Sequence, residues 1–255
     1  MRLRFPGTGY GLCPLKKSSG HEFRRPACLQ IDDKILIDPT EPTFDFYSDF
    51  NLTDELSSVT DVLITHSHPS HFSPEALLKL SERRTVRVWG NAAVLSKIPD
   101  SLNLALCPVE PFSVSELPSG YRIIPMPASH KTDLAGEMCL HYAVSRDKTV
   151  FYGVDGGLLR TDVFDLLKHL KFDAFVADAA LGDAEPTGAY MYHNSLQSAD
   201  MQRRMLLSEG ILGEKSRFIL THLPMKKKEF LHEVFSEKAG KLGLTVAYDG
   251  YFAAI

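Results

Sequence analysis

The chain has 255 residues, of which 44% are hydrophobic and 24% are charged, and its formal net charge is −4. This balance is typical of a folded globular protein that buries a sizeable core, so it excludes intrinsic disorder and a broadly basic, nucleic-acid-binding character. The length fits one large domain, and we expect residues 1–255 to form a single unit.

Short apolar runs bounded by turn residues predict strands along the first half of the chain. The predicted strands cover residues 27–31, 34–38, 62–65, 85–89 and 121–124. The first two flank the pair Asp32-Asp33 and predict a hairpin. Helices are predicted at 74–83, with Ser73 as N-cap and Pro74 in its first position, and at 91–97.

The second half repeats this arrangement. Strands are predicted at 138–144, 149–154, 174–178, 217–221 and 244–248. Helices, marked by apolar residues three and four apart, are predicted at 158–170, 195–209 and 228–242. Two halves that each run from strands into helices suggest two sheets packed face to face with helices outside.

Four scattered cysteines form no Cys-x-x-Cys pair, so neither a disulfide framework nor a four-thiolate zinc site is expected. The N-terminal residues carry two arginines without a following apolar run of signal-peptide length, and no run of about 18 apolar residues occurs. The sequence therefore predicts a cytoplasmic protein without a membrane segment. A homodimer is compatible with it.

Three histidines follow directly on one predicted strand. The run 62–65 is followed by His66, His68 and His71. Neutral imidazole is a common ligand for zinc, iron and manganese, and a strand-to-loop turn lets ligands two and three residues apart converge on one small volume. A chance group of exposed histidines is the alternative, and further ligands at other strand exits would argue against it.

Three more candidate ligands stand at such exits. His130 follows the run 123–129, Asp155 follows 150–154, and His222 follows 218–221. Strand-supported loops commonly present binding and catalytic groups. Asp155 precedes two glycines, so an ordinary turn aspartate is the competing interpretation of that residue.

The order of these motifs resembles the metallo-β-lactamase-fold hydrolase superfamily over nearly the whole chain. The matching motifs are Thr65-His-Ser-His-Pro-Ser-His-Phe72, Ser129-His130, Gly153-Val-Asp155 and Thr221-His222. The segments Pro6-Gly-Thr-Gly9, Arg24-Arg-Pro-Ala-Cys28 and Leu36-Ile-Asp38 are similar to the cyclic-phosphate phosphodiesterase branch, which is related to the tRNA 3′-processing endonucleases. The resemblance implies an α+β fold, a four-layer αββα sandwich.

The resemblance also implies how metal ligands are distributed. His66, His68 and His130 would hold one divalent ion, His71 and His222 would hold a second, and Asp155 would bridge the two. Zinc, manganese, iron and nickel all suit a histidine-carboxylate site. Two such ions can activate a water and neutralise phosphoryl oxygens.

Three further residues complete the candidate site. Asp38 would accept a hydrogen bond from a ligating histidine, although a strand-end turn before Pro39 is an alternative. His193 resembles the branch's histidine near the substrate and is, with Asp155, the candidate catalytic residue, because imidazole titrates near neutral pH and can protonate a leaving alkoxide. Asp178 is a candidate for orienting His193. A surface histidine at a helix start is the competing interpretation of His193.

Two departures from the family pattern stand out. Ser70 occupies the position where the family normally has an aspartate, so the second ion loses a charge. A weaker second metal, a carboxylate from elsewhere, or a single-metal protein are the open outcomes. Near the N-terminus the branch carries a cysteine-rich structural zinc insert, whereas residues 11–21 offer only Cys13 and His21, so no structural zinc is expected there.

The leading functional hypothesis is hydrolysis of a phosphodiester, a small cyclic phosphate or nucleotide, by metal-activated water. One alternative is an ester, thioester or lactone hydrolase of the same fold. Another, motivated by Ser70, is a catalytically weak metal-binding or sensing protein. The acidic balance argues against nucleic acid as a partner, so the expected partner is a small phosphoester substrate.

Overall fold

The computed structural model describes residues 1–12, 20–82, 84–101, 103–184, 191–224 and 230–255. The strands are β1 Arg2–Gly7, β2 Cys28–Ile31, β3 Ile35–Ile37, β4 Asp61–Leu63, β5 Val86–Gly90, β6 Leu104–Pro108, β7 Ser115–Glu116, β8 Arg122–Pro127, β9 Leu140–Ser145, β10 Thr149–Gly153, β11 Phe172–Asp178, β12 Leu212–Thr221, β13 Thr245–Val246 and β14 Phe252–Ala254. The helices are α1 Glu41–Asp49, α2 Thr53–Ser57, α3 Pro74–Ser81, α4 Ala92–Leu95, α5 Thr161–Leu167, α6 Leu196–Ser208 and α7 His232–Lys241, with a 3₁₀ turn at Gly20–Glu22.

The strands form two seven-stranded mixed sheets. The first has the order β14-β1-β2-β3-β4-β5-β6 and the second the order β13-β12-β11-β10-β9-β8-β7. Strands β3 to β6 run parallel to one another, as do β10 to β13, while the remaining neighbours are antiparallel. The carboxyl ends within each parallel set therefore lie at one edge of the sheet, where parallel-strand proteins commonly place their ligand sites.

Three apolar clusters separate four layers. One lies between the sheets and joins residues such as Leu3 of the first sheet to Tyr142 and Val176 of the second. A second packs the helices α1 and α3 on the first sheet, and a third packs α5, α6 and α7 on the other. Because each sheet is apolar on both faces, both faces must be covered, which gives the order helix, sheet, sheet, helix. The predicted α+β αββα sandwich is confirmed.

The predicted hairpin forms, with Leu29 opposite Ile37, and so does the predicted start of α3. There the Ser73 hydroxyl accepts a hydrogen bond from the backbone N–H of Ala76 at 3.0 Å. The helix predicted at 158–170 is shorter than expected: its N-cap residue Arg160 is extended, with φ −63° and ψ 150°, so α5 begins only at Thr161. Part of the helix predicted at 228–242 lies outside the described residues.

Several elements were not predicted. Strands β1 and β14 bring the two ends of the chain together, with Leu3 opposite Ala253. Helix α1 follows Thr40, which shares a reciprocal capping arrangement with Thr43, and it has a proline in its first turn. Among the described residues, no helix combines the length and apolar character needed to cross a lipid bilayer.

Candidate metal centre

Six predicted ligands meet at one edge of the sandwich, although they span 157 positions of the chain. Each follows a strand: β4, β8, β10 or β12. The six are His66, His68, His71, His130, Asp155 and His222. They form two donor groups that share Asp155, and these groups have the same membership that the family resemblance implies.

The first group contains three imidazole nitrogens and one carboxylate oxygen. His68 Nδ1 lies 3.0 Å from His66 Nε2 and 3.2 Å from His130 Nε2, and Asp155 Oδ2 lies 3.4 Å from His66 Nε2. Ligands at about 2.0–2.1 Å from a tetrahedral ion lie roughly 3.3–3.4 Å apart. The observed spacing therefore fits a single divalent ion held by all four residues.

The second group consists of His71, Asp155 and His222. His71 Nε2 lies 3.1 Å from Asp155 Oδ2, and His222 Nε2 lies 2.8 Å from Asp155 Oδ1. His71 Nε2, His222 Nε2 and Asp155 Oδ1 are buried, yet none of these three atoms has a partner with hydrogen-bond geometry. Buried polar atoms without partners are rare in folded proteins. A cation between them would satisfy all three, so these residues also fit a metal.

The protein environment favours the ligand form of most of these side chains. Burial lowers the pKa of His66 and of His222, and it lowers the pKa of His130 to about 3. These rings are therefore neutral at neutral pH, and neutral imidazole is the form that binds a metal. Burial by itself would raise the pKa of Asp155, but the adjoining His222 ring and the His71 ring, whose own pKa is raised to about 10, outweigh it and hold the pKa of Asp155 well below its usual range.

Asp38 supports a ligand of each donor group through hydrogen bonds, His71 directly and His66 through Thr65. The completely buried carboxylate accepts hydrogen bonds from His71 Nδ1 at 2.9 Å and from the backbone N–H and hydroxyl of Thr65 at 2.8 and 2.7 Å. The Thr65 oxygen in turn lies 2.9 Å from His66 Nδ1. Both histidines thereby receive a partner at Nδ1, which leaves Nε2 to face the donor groups.

Three residues of the site have left-handed backbone conformations. The φ angles are 54° at Asp38, 56° at Asp155 and 54° at His222. Non-glycine residues rarely adopt such values. At each of these strand exits the left-handed residue turns the chain sharply, and the side chain points to the shared edge.

The glycine after Asp155 is required for space. A Cβ built on Gly156 would lie 2.2 Å from Cε1 of His141, a buried ring on β9. Non-bonded contacts this short do not occur around a real Cβ atom. Only glycine fits between the Asp155 turn and this ring, and His141 thus supports the turn that carries the shared carboxylate.

His193 lies beside the shared carboxylate. Its Nδ1 is 3.1 Å from Asp155 Oδ1 and 3.6 Å from Asp178 Oδ2. Burial would lower the pKa of His193, but these two carboxylates outweigh it and raise the pKa to about 10. Asp178 is itself fixed by the backbone and side-chain N–H groups of Asn194, at 2.8 and 3.0 Å.

Three residues around the pocket were not predicted from the sequence. The Glu137 carboxylate accepts hydrogen bonds from the Ser67 backbone and hydroxyl, at 2.6 and 2.5 Å, and from the Thr132 hydroxyl, so it joins the His66–His68 loop to the loop after His130. Tyr10 packs on His193 and His222, and Tyr192 lies near His130. None of the three follows a strand with other ligands, so no sequence signal identified them.

Ser70 is 9% exposed and lies one residue before His71, in the turn that leads to α3. The N-terminal Cys13 lies outside the described residues. The three described cysteines, Cys28, Cys107 and Cys139, form no disulfide.

Comparison with known proteins gives one family match and many similar structures. The model of the β-lactamase superfamily domain matches residues 33–223. Among curated proteins, none matches the chain significantly. Among solved structures, the metallo-β-lactamase-fold protein YhfI from Bacillus subtilis is 14% identical with a TM-score of 0.72, and the two chains cover 99% of each other.

Two further structures are related to phosphodiester chemistry by name. The short form of human tRNase Z is 16% identical, with a TM-score of 0.71 and coverage of 100% of this chain and 99% of that one. Yeast PDE1 is 11% identical, with a TM-score of 0.67 and coverage of 100% and 99%. At these identities the likeness concerns the fold, and the family model carries the assignment. The chain belongs to the β-lactamase superfamily of metal-dependent hydrolases and has the metallo-β-lactamase fold.

Proposed function

We propose that the protein is a phosphodiesterase that hydrolyses a small cyclic phosphate or nucleotide with the help of bound divalent metal. The observation that carries the proposal is the position of Asp155. Its two oxygens contact both donor groups and also His193, so a candidate proton donor lies beside a candidate two-metal centre. Metal-activated water and a proton donor for the leaving oxygen together suit phosphodiester hydrolysis.

The metal-holding residues in this proposal are the two donor groups. His66, His68, His130 and Asp155 would hold one ion, and His71, His222 and Asp155 the other. Such ions supply an activated water and neutralise charge on the phosphoryl oxygens. Histidine and carboxylate donors suit zinc, manganese, iron or nickel. Elemental analysis of protein purified without added metal would identify the ion and count it per chain.

His193 is the proposed general acid. Asp155 and Asp178 both face Nδ1, and their negative charge favours the protonated ring. Because Nδ1 faces the two carboxylates, Nε2 is the nitrogen left for the substrate. As water adds to phosphorus and the P–O bond of the leaving alcohol breaks, His193 gives its proton to the leaving oxygen. A proton released by the attacking water restores the imidazolium.

The choice of a small phosphodiester has two supports. The names of two structural neighbours, tRNase Z and PDE1, point to phosphodiester substrates for those proteins. The net charge of −4 does not favour a long polyanion, which needs a basic surface. The dispersed cysteines fit a reducing, cytoplasmic setting.

The experiment that tests the activity is a substrate panel. The purified protein, supplied with zinc or manganese, would be assayed on bis(p-nitrophenyl) phosphate, 2′,3′-cyclic and 3′,5′-cyclic AMP, a homoserine lactone and p-nitrophenyl acetate. We expect turnover of a phosphodiester that is abolished in His66→Ala and unchanged in His169→Ala, whose histidine is exposed after α5. Turnover of the lactone or acetate without any phosphodiester would replace the proposal by the carboxylic-ester alternative.

A second experiment tests His193. A general acid matters most when the leaving alcohol is weakly acidic, and it contributes about 10²- to 10⁴-fold. His193→Asn should therefore slow hydrolysis of a cyclic nucleotide by that factor and slow release of p-nitrophenol, a good leaving group, far less. Equal losses on both substrates would assign His193 to structure or binding instead.

Ser70 favours one competing function, a metal-binding or sensing protein with little catalysis. The loss of a carboxylate next to His71 weakens the second donor group, and a shared fold tolerates such losses. Tight metal binding together with inactivity on the whole panel would favour this alternative.

A further inference from the structure

A tyrosine from the N-terminal strand region closes one wall of the candidate metal centre. Beyond β1, the backbone N–H of Gly9 donates to the Arg25 carbonyl oxygen and that of Tyr10 to the Leu223 carbonyl oxygen, each at 2.8 Å. Gly9 also bridges to Pro26 and Leu223 as a short parallel pairing. These contacts fix Tyr10 beside the loop that begins with His222.

The Tyr10 ring contacts two residues of the proposed machinery. Its centroid lies 5.1 Å from the His222 ring and 5.1 Å from the His193 ring, with interplanar angles of 63° and 67°. Both are edge contacts of the kind that aromatic rings prefer. Even so, 46% of Tyr10 is exposed to solvent. A ring that touches a candidate metal ligand and the candidate acid, and is open on its other side, forms part of the surface that a substrate meets.

The chemistry of Tyr10 favours contact through the ring. The phenol of an ordinary tyrosine is uncharged at neutral pH, so Tyr10 adds no charge to this wall of the site. The exposed ring offers an apolar, polarisable surface, on which planar groups stack.

We infer that Tyr10 is a specificity-determining residue that contacts the substrate and favours phosphate esters with a planar aromatic substituent, such as a nucleobase or a phenyl ring. The inference rests on the proposed phosphodiesterase function for the reaction, but the recognition itself concerns binding. Tyr192, 38% exposed and 6.4 Å from the His130 ring, lies on the side of the other donor group. We therefore expect Tyr192 to contribute less than Tyr10 to the preference for an aromatic substituent.

The test compares two ligands that share an acidic phosphorus group. Binding of phenylphosphonate and of methylphosphonate to the full chain, loaded with zinc or manganese, would be measured by calorimetry at one pH. Stacking on an aromatic side chain changes affinity by about 5-fold or more when the ring is replaced by alanine. We expect the phenyl preference to fall by at least that factor in Tyr10→Ala and to persist in Tyr10→Phe.

Two controls make the result specific. Phe252→Ala removes an exposed ring on β14, 47% accessible, and should leave the preference unchanged. Tyr192→Ala should reduce it less than Tyr10→Ala. Three results would each overturn the inference. They are an undiminished phenyl preference in folded Tyr10→Ala, an equal loss of affinity for both ligands in that variant, and a larger loss of the preference in Tyr192→Ala than in Tyr10→Ala.

A kinetic comparison separates this inference from the proposed function. Phenyl p-nitrophenyl phosphate and methyl p-nitrophenyl phosphate have the same leaving group and differ in the retained substituent. Tyr10→Ala should raise KM for the phenyl diester by about 5-fold or more relative to KM for the methyl diester, whatever its effect on the turnover that the two diesters share. If neither diester is hydrolysed while the phenylphosphonate preference still depends on Tyr10, the phosphodiesterase proposal fails and the role of Tyr10 in binding stands.

Discussion

Replacing Asp38 by asparagine should weaken metal binding without changing the backbone. The carboxylate accepts three hydrogen bonds, from Thr65 N–H at Oδ1 and from the Thr65 hydroxyl and His71 Nδ1 at Oδ2. Asparagine keeps one acceptor oxygen and presents an NH₂ group in place of the other. It also tolerates the left-handed φ of 54° better than most residues, so the turn itself can persist.

Either orientation of the new amide conflicts with a donor. If its NH₂ group faces Thr65 N–H, a buried donor loses its partner. If it faces His71, that ring must accept at Nδ1 and carry its proton on Nε2, the nitrogen that belongs to the second donor group. Loss of such supporting hydrogen bonds lowers metal affinity by about 10- to 100-fold. This corresponds to roughly 1.4–2.7 kcal/mol of binding free energy.

The assay is a competition titration with a chromophoric chelator at one fixed pH, with thermal melting to verify folding. Asp32→Asn is a matched control, because Asp32 also has a positive φ of 50° but lies in the β2–β3 turn. We expect weaker metal binding in Asp38→Asn and unchanged binding in Asp32→Asn. Unchanged metal affinity in a folded Asp38→Asn protein would refute the argument that Asp38 fixes the histidine tautomers.

Three further predictions follow from single residues. Gly156→Ala should lower the melting temperature and weaken metal binding, because the new Cβ overlaps His141. The expected loss of folding stability is roughly 1–3 kcal/mol. The control Gly240→Ala on α7 meets no atom within 4 Å and should be neutral or stabilising. Burial raises the pKa of Asp61, but hydrogen bonds from Arg87, Thr60, Trp89 and Ser119 outweigh it and lower the pKa below the usual value. The stability that Asp61 provides is therefore present above the unfolded-state pKa and is lost as the pH falls through the folded-state pKa. Urea titrations in chelator-containing buffer should show that the free energy of unfolding depends less on acid pH in Asp61→Asn. Ser70→Asp should raise the affinity for the His71/His222 ion in a metal titration, and unchanged affinity would mean that another group completes the second site or that no second site exists.

The parts of the site that could be predicted share one local signal, an apolar run that ends in a ligand-type residue. His66 after β4, Asp155 after β10 and His222 after β12 all have this form. The run predicts the strand and the following residue predicts the chemistry, so their convergence required only that parallel strands end at one edge. The two-sheet arrangement was predictable for the same reason, because runs buried on both faces require cover on both faces.

Other parts depend on contacts between distant residues that carry no such signal. Glu137 reaches Ser67 across 70 positions, and Tyr10 reaches His222 only because β1 ends beside the loop after β12. Strand β1 did carry a weak sequence signal, since the apolar residues Leu3 and Phe5 alternate with the charged residues Arg2 and Arg4. Its pairing with β14 at the far end of the chain, however, is a property of the assembled sheet.

The backbone strain at the site offers an independent argument for its role. Among the described residues, six non-glycine residues have positive φ, and Asp38, Asp155 and His222 are three of them. Glycine would adopt this conformation at the least cost, although aspartate and histidine tolerate it better than most residues. Glycine would also remove the side chain, and all three side chains point to the same edge, where Asp155 and His222 share a donor group and Asp38 holds His71. The three turns therefore place the side chains that form and support the donor groups, at some conformational cost.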